Sequence, residues 1–212
     1  MFYNCCKRLF DLAASSAGLV LLSPILIFIA ILIILGSPGP VFFRGVRVGL
    51  YGRPFKIFKY RTMVLNADKI GGPSTSDDDP RITSIGKKMR KFKLDELPQL
   101  INVFNGDMSI VGPRPEVQHY VNMFTEEEKA ILSVRPGITD WASIWNPDEG
   151  AILAGSPDPE KTYMEKIRPN KLKLQLKYVE ERSFWVDMKI ILETIRTIIT
   201  RKKPELIHEV GK

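Results

Sequence analysis

A chain of 212 residues has room for one compact domain and an appendage. Lys and Arg number 31 against 24 Asp and Glu, a formal charge of +7, which suits a polyanionic partner: nucleic acid, an anionic membrane surface or a phosphorylated substrate. Only Cys5 and Cys6, with His119 and His208, are available as soft ligands, which excludes a disulfide framework and a cysteine-based zinc site.

The two cysteines sit on a basic N-terminus ahead of an apolar segment, as unmodified thiols or as sites of acylation. From Leu12 to Leu35 the sequence is almost wholly apolar, with small polar interruptions at Ser15, Ser16 and Ser23. As a helix of roughly 24 residues it reaches about 36 Å, enough to cross a bilayer. A cleaved signal peptide fits poorly, because the run is long and Gly36-Ser37-Pro38-Gly39-Pro40 reads as a linker. Pro24, near the centre, lacks the N–H that a helix interior uses. Two geometries follow: a spanning helix kinked at Pro24, or a bend at Ser23-Pro24 that returns the chain to the face it entered. In the second, each arm of about 12 residues reaches about 18 Å, and the Ser23 hydroxyl can satisfy a carbonyl freed by the proline. Lys7 and Arg8 precede the segment, while Arg44, Arg47, Arg53, Lys56 and Lys59 follow it. Positive charge at both ends favours the re-entrant form, since a single crossing cannot put both ends on the cytoplasmic side.

Residues 41–48 and 55–62, rich in β-branched and aromatic side chains around Gly49-Leu50-Tyr51-Gly52, predict a short β-hairpin. Lys59 and Arg61 lie two residues apart and so on one face of the second strand. Gly71 through Pro80 reads as a loop, with Asp77-Asp78-Asp79 taken as a solvated acidic run rather than a metal site. Residues 82–93 predict a basic helix carrying Lys87, Lys88, Arg90, Lys91 and Lys93. Residues 95–104 predict another, with Asp95 and Glu96 in its first turn, Pro98 tolerated there and Gly106 beyond its end. That placement sets the two acids where free N–H groups and the helix dipole attract phosphate. Thr125 and Glu128 have capping-box spacing for a short helix over 125–133, which Arg135-Pro136-Gly137 ends. Residues 170–203 predict one long amphipathic helix, able to lie at a lipid interface or on the core.

Paired carboxylates serve as acid and base, as metal ligands, or as nucleophile with metal ligand. Neighbouring side chains on a helix diverge by about 100°, so Asp95 and Glu96 are suited to different tasks rather than to sharing a proton. Magnesium is the expected metal, because it takes one or two carboxylates and completes its shell with water and phosphate oxygens. Pro113 and Pro115 restrict the backbone around Arg114 and favour a preorganised phosphate fork.

Lys93-Leu94-Asp95-Glu96-Leu97-Pro98-Gln99-Leu100-Ile101-Asn102-Val103, Gly106-Asp107-Met108-Ser109-Ile110-Val111-Gly112-Pro113-Arg114-Pro115-Glu116 and Phe58-Lys59-Tyr60-Arg61-Thr62-Met63 together resemble the bacterial sugar transferase family, the monotopic phosphoglycosyl transferases that start lipid-linked glycan assembly. Arg135-Pro136-Gly137-Ile138-Thr139, and Lys7-Arg8 with Asp11 and Ser23-Pro24, are similar to it as well, so the likeness covers nearly the whole chain. The resemblance implies a mostly helical α/β protein. Residues 1–36 would form a re-entrant membrane helix-break-helix interrupted at Ser23-Pro24. Residues 37–212 would form a small catalytic domain, with a β-hairpin and amphipathic interfacial helices, on the cytoplasmic face of the inner membrane. It implies that Asp95 attacks the sugar-linked phosphorus of a UDP-sugar, releasing UMP, and that a polyprenyl phosphate, commonly undecaprenyl phosphate, captures the covalent phosphosugar. Glu96 would hold Mg²⁺. Arg90 and Arg114 with Pro113, joined by Lys59 and Arg61, would bind and neutralise phosphate. Membrane lipids are implied partners, nucleic acid is not, and a homodimer is left open.

Two positions depart from the family pattern. Asp140-Trp141-Ala142-Ser143 stands where many members read Gly-Trp-Ala-Gln, and Gln175 stands near where many carry an acid. With no long multi-span region ahead of residue 12, the expectation is the minimal catalytic form. Two other readings compete: direct transfer through a ternary complex with Asp95 as general base, and a membrane-anchored adaptor whose basic face binds anionic lipid or nucleic acid.

Overall fold

A computed structural model describes residues 2–67, 70 and 75–200; the expectations for residues 71–74 and 201–203 lie outside them. The apolar run becomes part of one helix, α1 (Phe2–Gly36). It continues through Ser23-Pro24 instead of breaking there, for a local reason. Pro24 has no N–H to give the carbonyl four residues back, and the Ser23 hydroxyl donates to that Val20 carbonyl at 2.8 Å.

Both arms of α1 touch the remainder of the chain. On the first arm, Arg8 donates to the carbonyls of Val103 at 2.6 Å and Phe104 at 2.8 Å. The buried Asp11 carboxylate accepts from the Ser109 hydroxyl at 3.0 Å and the Ile110 N–H at 2.9 Å. On the second arm, the Tyr60 hydroxyl donates to the Leu26 carbonyl at 2.6 Å, and Ile29 and Ile33 are buried against Tyr60 and Met89. Gly36 closes on α2 (Ser84–Lys91), where a Cβ would stand 2.5 Å from the Ile85 Cδ1. The opposite face, including Val20, Leu21, Ile27, Phe28, Ile31, Ile34 and Leu35, is exposed.

The predicted hairpin forms in two short steps. β1 (Phe42–Phe43) pairs antiparallel with β4 (Lys59–Tyr60), and β2 (Val46–Val48) pairs antiparallel with β3 (Pro54–Lys56). Tyr51 turns the chain between them with φ 55°. The basic helix is α2, capped by the Thr83 hydroxyl, which accepts from the Gly86 N–H at 3.0 Å.

The acid pair departs from expectation. Asp95 and Glu96 lie in a 3₁₀ turn (Leu94–Glu96), and α3 (Gln99–Asn105) begins only after Pro98. The Glu96 N–H bonds back to Lys93 and the Leu97 N–H to Leu94, so these two N–H groups close the turn rather than face a phosphate.

The chain then enters β5 (Ser109–Val111), which pairs parallel with β6 (Gly137–Thr139). Glycine is required there: a Cβ on Gly137 would come within 2.1 Å of the Gly112 backbone nitrogen. Between these strands lie α4 (Gln118–Val121) and a 3₁₀ helix (Glu128–Ser133), preceded by the predicted capping box: Glu128 N–H to the Thr125 hydroxyl at 3.2 Å, and Thr125 N–H to the Glu128 carboxylate at 2.9 Å.

Three short helices follow, α5 (Trp141–Trp145), α6 (Glu149–Leu153) and α7 (Pro159–Thr162), the last running into a π-helical turn. The expected long C-terminal helix is two, α8 (Arg168–Glu181) and α9 (Phe184–Thr200). Ser183 divides them, its hydroxyl accepting from the Val186 N–H at 3.3 Å. Val111, Trp141, Ile144, Leu174, Tyr178 and Ile190 form a core that fixes β5, α5, α8 and α9 to one another. Two members of the acidic run, Asp77 and Asp78, are exposed as expected, Asp78 accepting from the Gly155 N–H at 3.2 Å, whereas Asp79 is buried and pairs with Arg81 at 2.6 Å.

Candidate active site

The site assembles from three segments distant in sequence. The Asn102 side chain joins α3 to the hairpin, accepting from the Phe58 N–H at 2.7 Å and donating to the Lys56 carbonyl at 2.9 Å. That junction brings Lys59 over the acid pair, where its ammonium donates to Glu96 Oε1 at 2.9 Å. Arg114 arrives from just past β5. Its guanidinium grips Glu96 with both terminal nitrogens, one at 2.9 Å from Oε2 and the other on Oε1. Two parallel N–H···O bonds to one carboxylate fix orientation as well as charge.

Glu96 therefore sits between two cations. Burial alone would raise its carboxyl, but Arg114 and Lys59 outweigh burial and hold it well below the usual carboxylate range. Burial draws the Lys59 ammonium down, with Glu96 opposing, while the Glu96 charge pushes Arg114 up. Asp95 is in a different state. It is buried, and one of its carboxylate oxygens, Oδ1, has no hydrogen-bond partner. Burial, with the Glu96 charge, raises its carboxyl against the pull of Lys59, Arg90 and Lys93. Lys93, left-handed at φ 56°, starts the turn that presents both acids.

Of the cations singled out in the sequence, Lys59 and Arg114 bond directly to Glu96, and Arg90, on α2, acts on Asp95 through space. Arg61 does not join them. The strand ends at Tyr60, so the alternation that would align Arg61 with Lys59 stops there. The Arg61 guanidinium donates instead to the carbonyls of Pro38 at 2.6 Å and Ser37 at 2.8 Å, tying down the linker after α1. Pro113 acts through its backbone, its carbonyl accepting from the Gly137 N–H at 2.9 Å.

Sequence reasoning missed a second charged cluster beside the first. Lys171 is buried on α8 between Glu116 at 2.7 Å and Glu149 at 3.2 Å, with the Tyr163 hydroxyl at 3.4 Å. Burial would lower Lys171, but Glu116 and Glu149 hold it well above its ordinary value. The one signal available was Glu116 itself, next to Pro115 in the arginine block.

A buried carboxylate with a free oxygen, next to a cation-clamped carboxylate, suits attack on or binding of a phosphorylated group. Comparison with known proteins identifies the family. The family described as bacterial sugar transferase matches residues 2–201. The chain is 38% identical over 201 residues to a UDP-N-acetylgalactosamine-undecaprenyl-phosphate N-acetylgalactosaminephosphotransferase of Aeromonas hydrophila, covering 93% of this chain and 44% of that protein. It is 40% identical over 193 residues to the uncharacterized sugar transferase EpsL of Bacillus subtilis strain 168, covering 91% and 87%. It is 40% identical over 195 residues to the UDP-glucose:undecaprenyl-phosphate glucose-1-phosphate transferase of Escherichia coli K12, covering 89% and 39%. The chain thus spans less than half the length of the Aeromonas and Escherichia relatives, and most of the Bacillus one.

Proposed function

The chain belongs to the bacterial sugar transferase family, and from that premise we propose that it moves a sugar-1-phosphate from a UDP-sugar to a polyprenyl phosphate, undecaprenyl phosphate being the form that the relatives' names carry. The observation that carries this reading is the buried Asp95 carboxylate with its unpartnered oxygen, set beside Glu96 in its cationic clamp.

The step proceeds in two halves. An Asp95 carboxylate oxygen attacks the sugar-bearing phosphorus of the donor. The anhydride P–O bond breaks, and UMP departs with the bridging oxygen. The phosphate oxygen of the polyprenyl phosphate then attacks the same phosphorus, freeing the Asp95 carboxylate and leaving a polyprenyl diphosphate sugar. One phosphoanhydride replaces another, so the protein's contribution is placement and charge. Desolvation of Asp95 strips the hydration shell that would blunt it as a nucleophile. Arg114, Lys59 and Arg90 offset the charge of the diphosphate.

Magnesium fits these residues. Lys59 and Arg114 occupy three of the lone-pair directions of Glu96, which leaves a position on Oε2. Among the described residues no preformed group of three or more metal-ligating side chains exists, which suits an ion that reaches the site with phosphate oxygens around it. Glu96 would hold it, and the bound ion would neutralise diphosphate charge.

The acceptor's chain places the reaction at a membrane. We read α1 as a monotopic anchor in the inner membrane, with the catalytic domain on the cytoplasmic face. Its two arms are both tied to that domain while its other side is apolar and exposed. Trp185, Leu192, Ile195, Ile198 and Ile199 give α9 a second exposed apolar face. The Lys7–Asp187 ion pair at 2.7 Å joins the two helices near their N-terminal ends.

The test is UMP release by the purified full chain, given Mg²⁺, polyprenyl phosphate and a panel of UDP-sugars; no release from any donor would reject the reading. A phosphosugar trapped on Asp95 without acceptor supports the two-step route, whereas turnover that never labels Asp95 favours a ternary complex. Impermeant thiol reagents applied to intact cells should spare cysteines placed at residues 3 and 75 alike; labelling at residue 3 alone would mean a spanning helix.

A further inference from the structure

Four donors converge on one buried carboxylate outside the acid pair. Asp140 is fully buried at the start of α5. Its Oδ1 accepts from the Ser143 N–H and the Ser143 hydroxyl, both at 2.7 Å. Its Oδ2 accepts from the Arg114 N–H at 3.2 Å and the Gln175 amide at 3.1 Å. An ionised carboxylate is the side chain that can accept from all of them, because it offers lone pairs and no donor. Gln175 is also fully buried, and its amide nitrogen stands 3.5 Å from the Arg114 carbonyl.

These contacts complete a frame around a short stretch of backbone. The Gly112 N–H bonds to the Thr139 carbonyl at 3.0 Å, and the Gly137 N–H bonds to the Pro113 carbonyl at 2.9 Å. Asp140 then takes the Arg114 N–H, and Gln175 stands over its carbonyl. The parallel strand pair alone would hold the chain as far as Pro113. What lies beyond is the residue whose guanidinium must meet Glu96 at a fixed angle, and a fork is useful only if its stem is fixed.

We propose that Asp140 and Gln175 are positioning residues for Arg114, locking its peptide so that the guanidinium forks Glu96 and faces the donor's phosphates. The catalytic half of this inference rests on the transferase reading; the structural half does not. Asp140→Asn puts an amide donor against one of the donor pairs, and Gln175→Met removes the donor while keeping the shape. Ser143→Ala is the control, since it removes a contact from the far oxygen of the same carboxylate and leaves Arg114 alone.

With the full chain in nanodiscs, Asp140→Asn and Gln175→Met should each lower kcat/KM for the UDP-sugar by about tenfold or more. KM for the polyprenyl phosphate should not change, and amide hydrogen exchange at Arg114 should be about tenfold faster. Ser143→Ala should leave donor kinetics within about twofold of wild type even where its thermal midpoint drops as far. If all three variants lose activity and Arg114 protection only in proportion to stability, the positioning role is overturned and Asp140 is a helix cap. If wild type turns over no donor, the transferase reading fails, and Arg114 exchange alone decides whether the frame exists.

Discussion

Two buried charge clusters lie side by side in this molecule and are inverse to each other. In one, a carboxylate, Glu96, sits between two cations, Lys59 and Arg114. In the other, a cation, Lys171, sits between two carboxylates, Glu116 and Glu149. The difference that matters is what stands next to each. Beside Glu96 is Asp95, buried, with its carboxyl raised chiefly by burial and an oxygen that bonds to nothing. The Lys171 ammonium has its charge partners and the Tyr163 hydroxyl close around it. On the proposed function, the cluster that leaves a desolvated acid incomplete is the one that reacts, and the closed one is a strut. Burial and pairing alone do not tell them apart.

The comparison is broken first at Asp95. Asp95→Asn should lower UMP release by at least about 1,000-fold, as loss of a nucleophile does. The thermal midpoint should stay equal or rise, because the change removes a charge that is buried without a full set of partners. A variant that turns over normally would return Asp95 to an ordinary turn residue. Arg114→Lys comes next. It keeps the charge but loses the fork, and should cost about 100-fold in kcat; a smaller cost in steady-state kinetics would reduce Arg114 to a point charge.

The strut should respond in the opposite sense. Lys171→Met leaves two carboxylates facing each other in the interior and should cost about 3 kcal/mol in chemical denaturation, while activity per folded molecule falls far less than in either site variant. The smallest effect is pH dependence. Burial would raise Glu149, but Lys171 and Arg114 outweigh it and hold it below its ordinary value of 4.5. Its stabilising contribution is present above about pH 4.5 and is lost as pH falls through the folded value. Lys171, held above 10.5, contributes below that pH and loses its contribution as pH rises through its folded value. Stability profiles of wild type and Lys171→Met should therefore converge at acid pH; parallel profiles would mean that Glu149 does not feel Lys171.

Much of this was open to reading residue by residue. Ser23 covering the carbonyl that Pro24 abandons, the capping box at Thr125 and Glu128, and the hairpin around Gly49–Gly52 all lie within a few residues of their causes. The division of the C-terminal helix at Ser183 was missed because the apolar stripe runs on through Phe184 and Trp185, and periodicity does not register a change of axis. The acid pair was placed one turn too far into its helix, since Pro98 was read as a residue inside the first turn when it stands just ahead of α3. The two departures from the family pattern, Asp140 and Gln175, appeared unrelated in the sequence, yet they touch at 3.1 Å across 35 positions.

By itself, then, the sequence determined the chemistry available: an apolar helix long enough for a bilayer, an acid pair, an arginine between two prolines, and an excess of positive charge. It did so because composition, capping and proline geometry act over a turn or two of chain. Only the tertiary structure decided which cation meets which acid. Lys59 reaches Glu96 across 37 positions, Asp11 reaches Ser109 across 98, and Arg61, two residues from Lys59, turns away to the end of α1. Those pairings are set by how helices and strands stack, and no local rule of spacing carries that information.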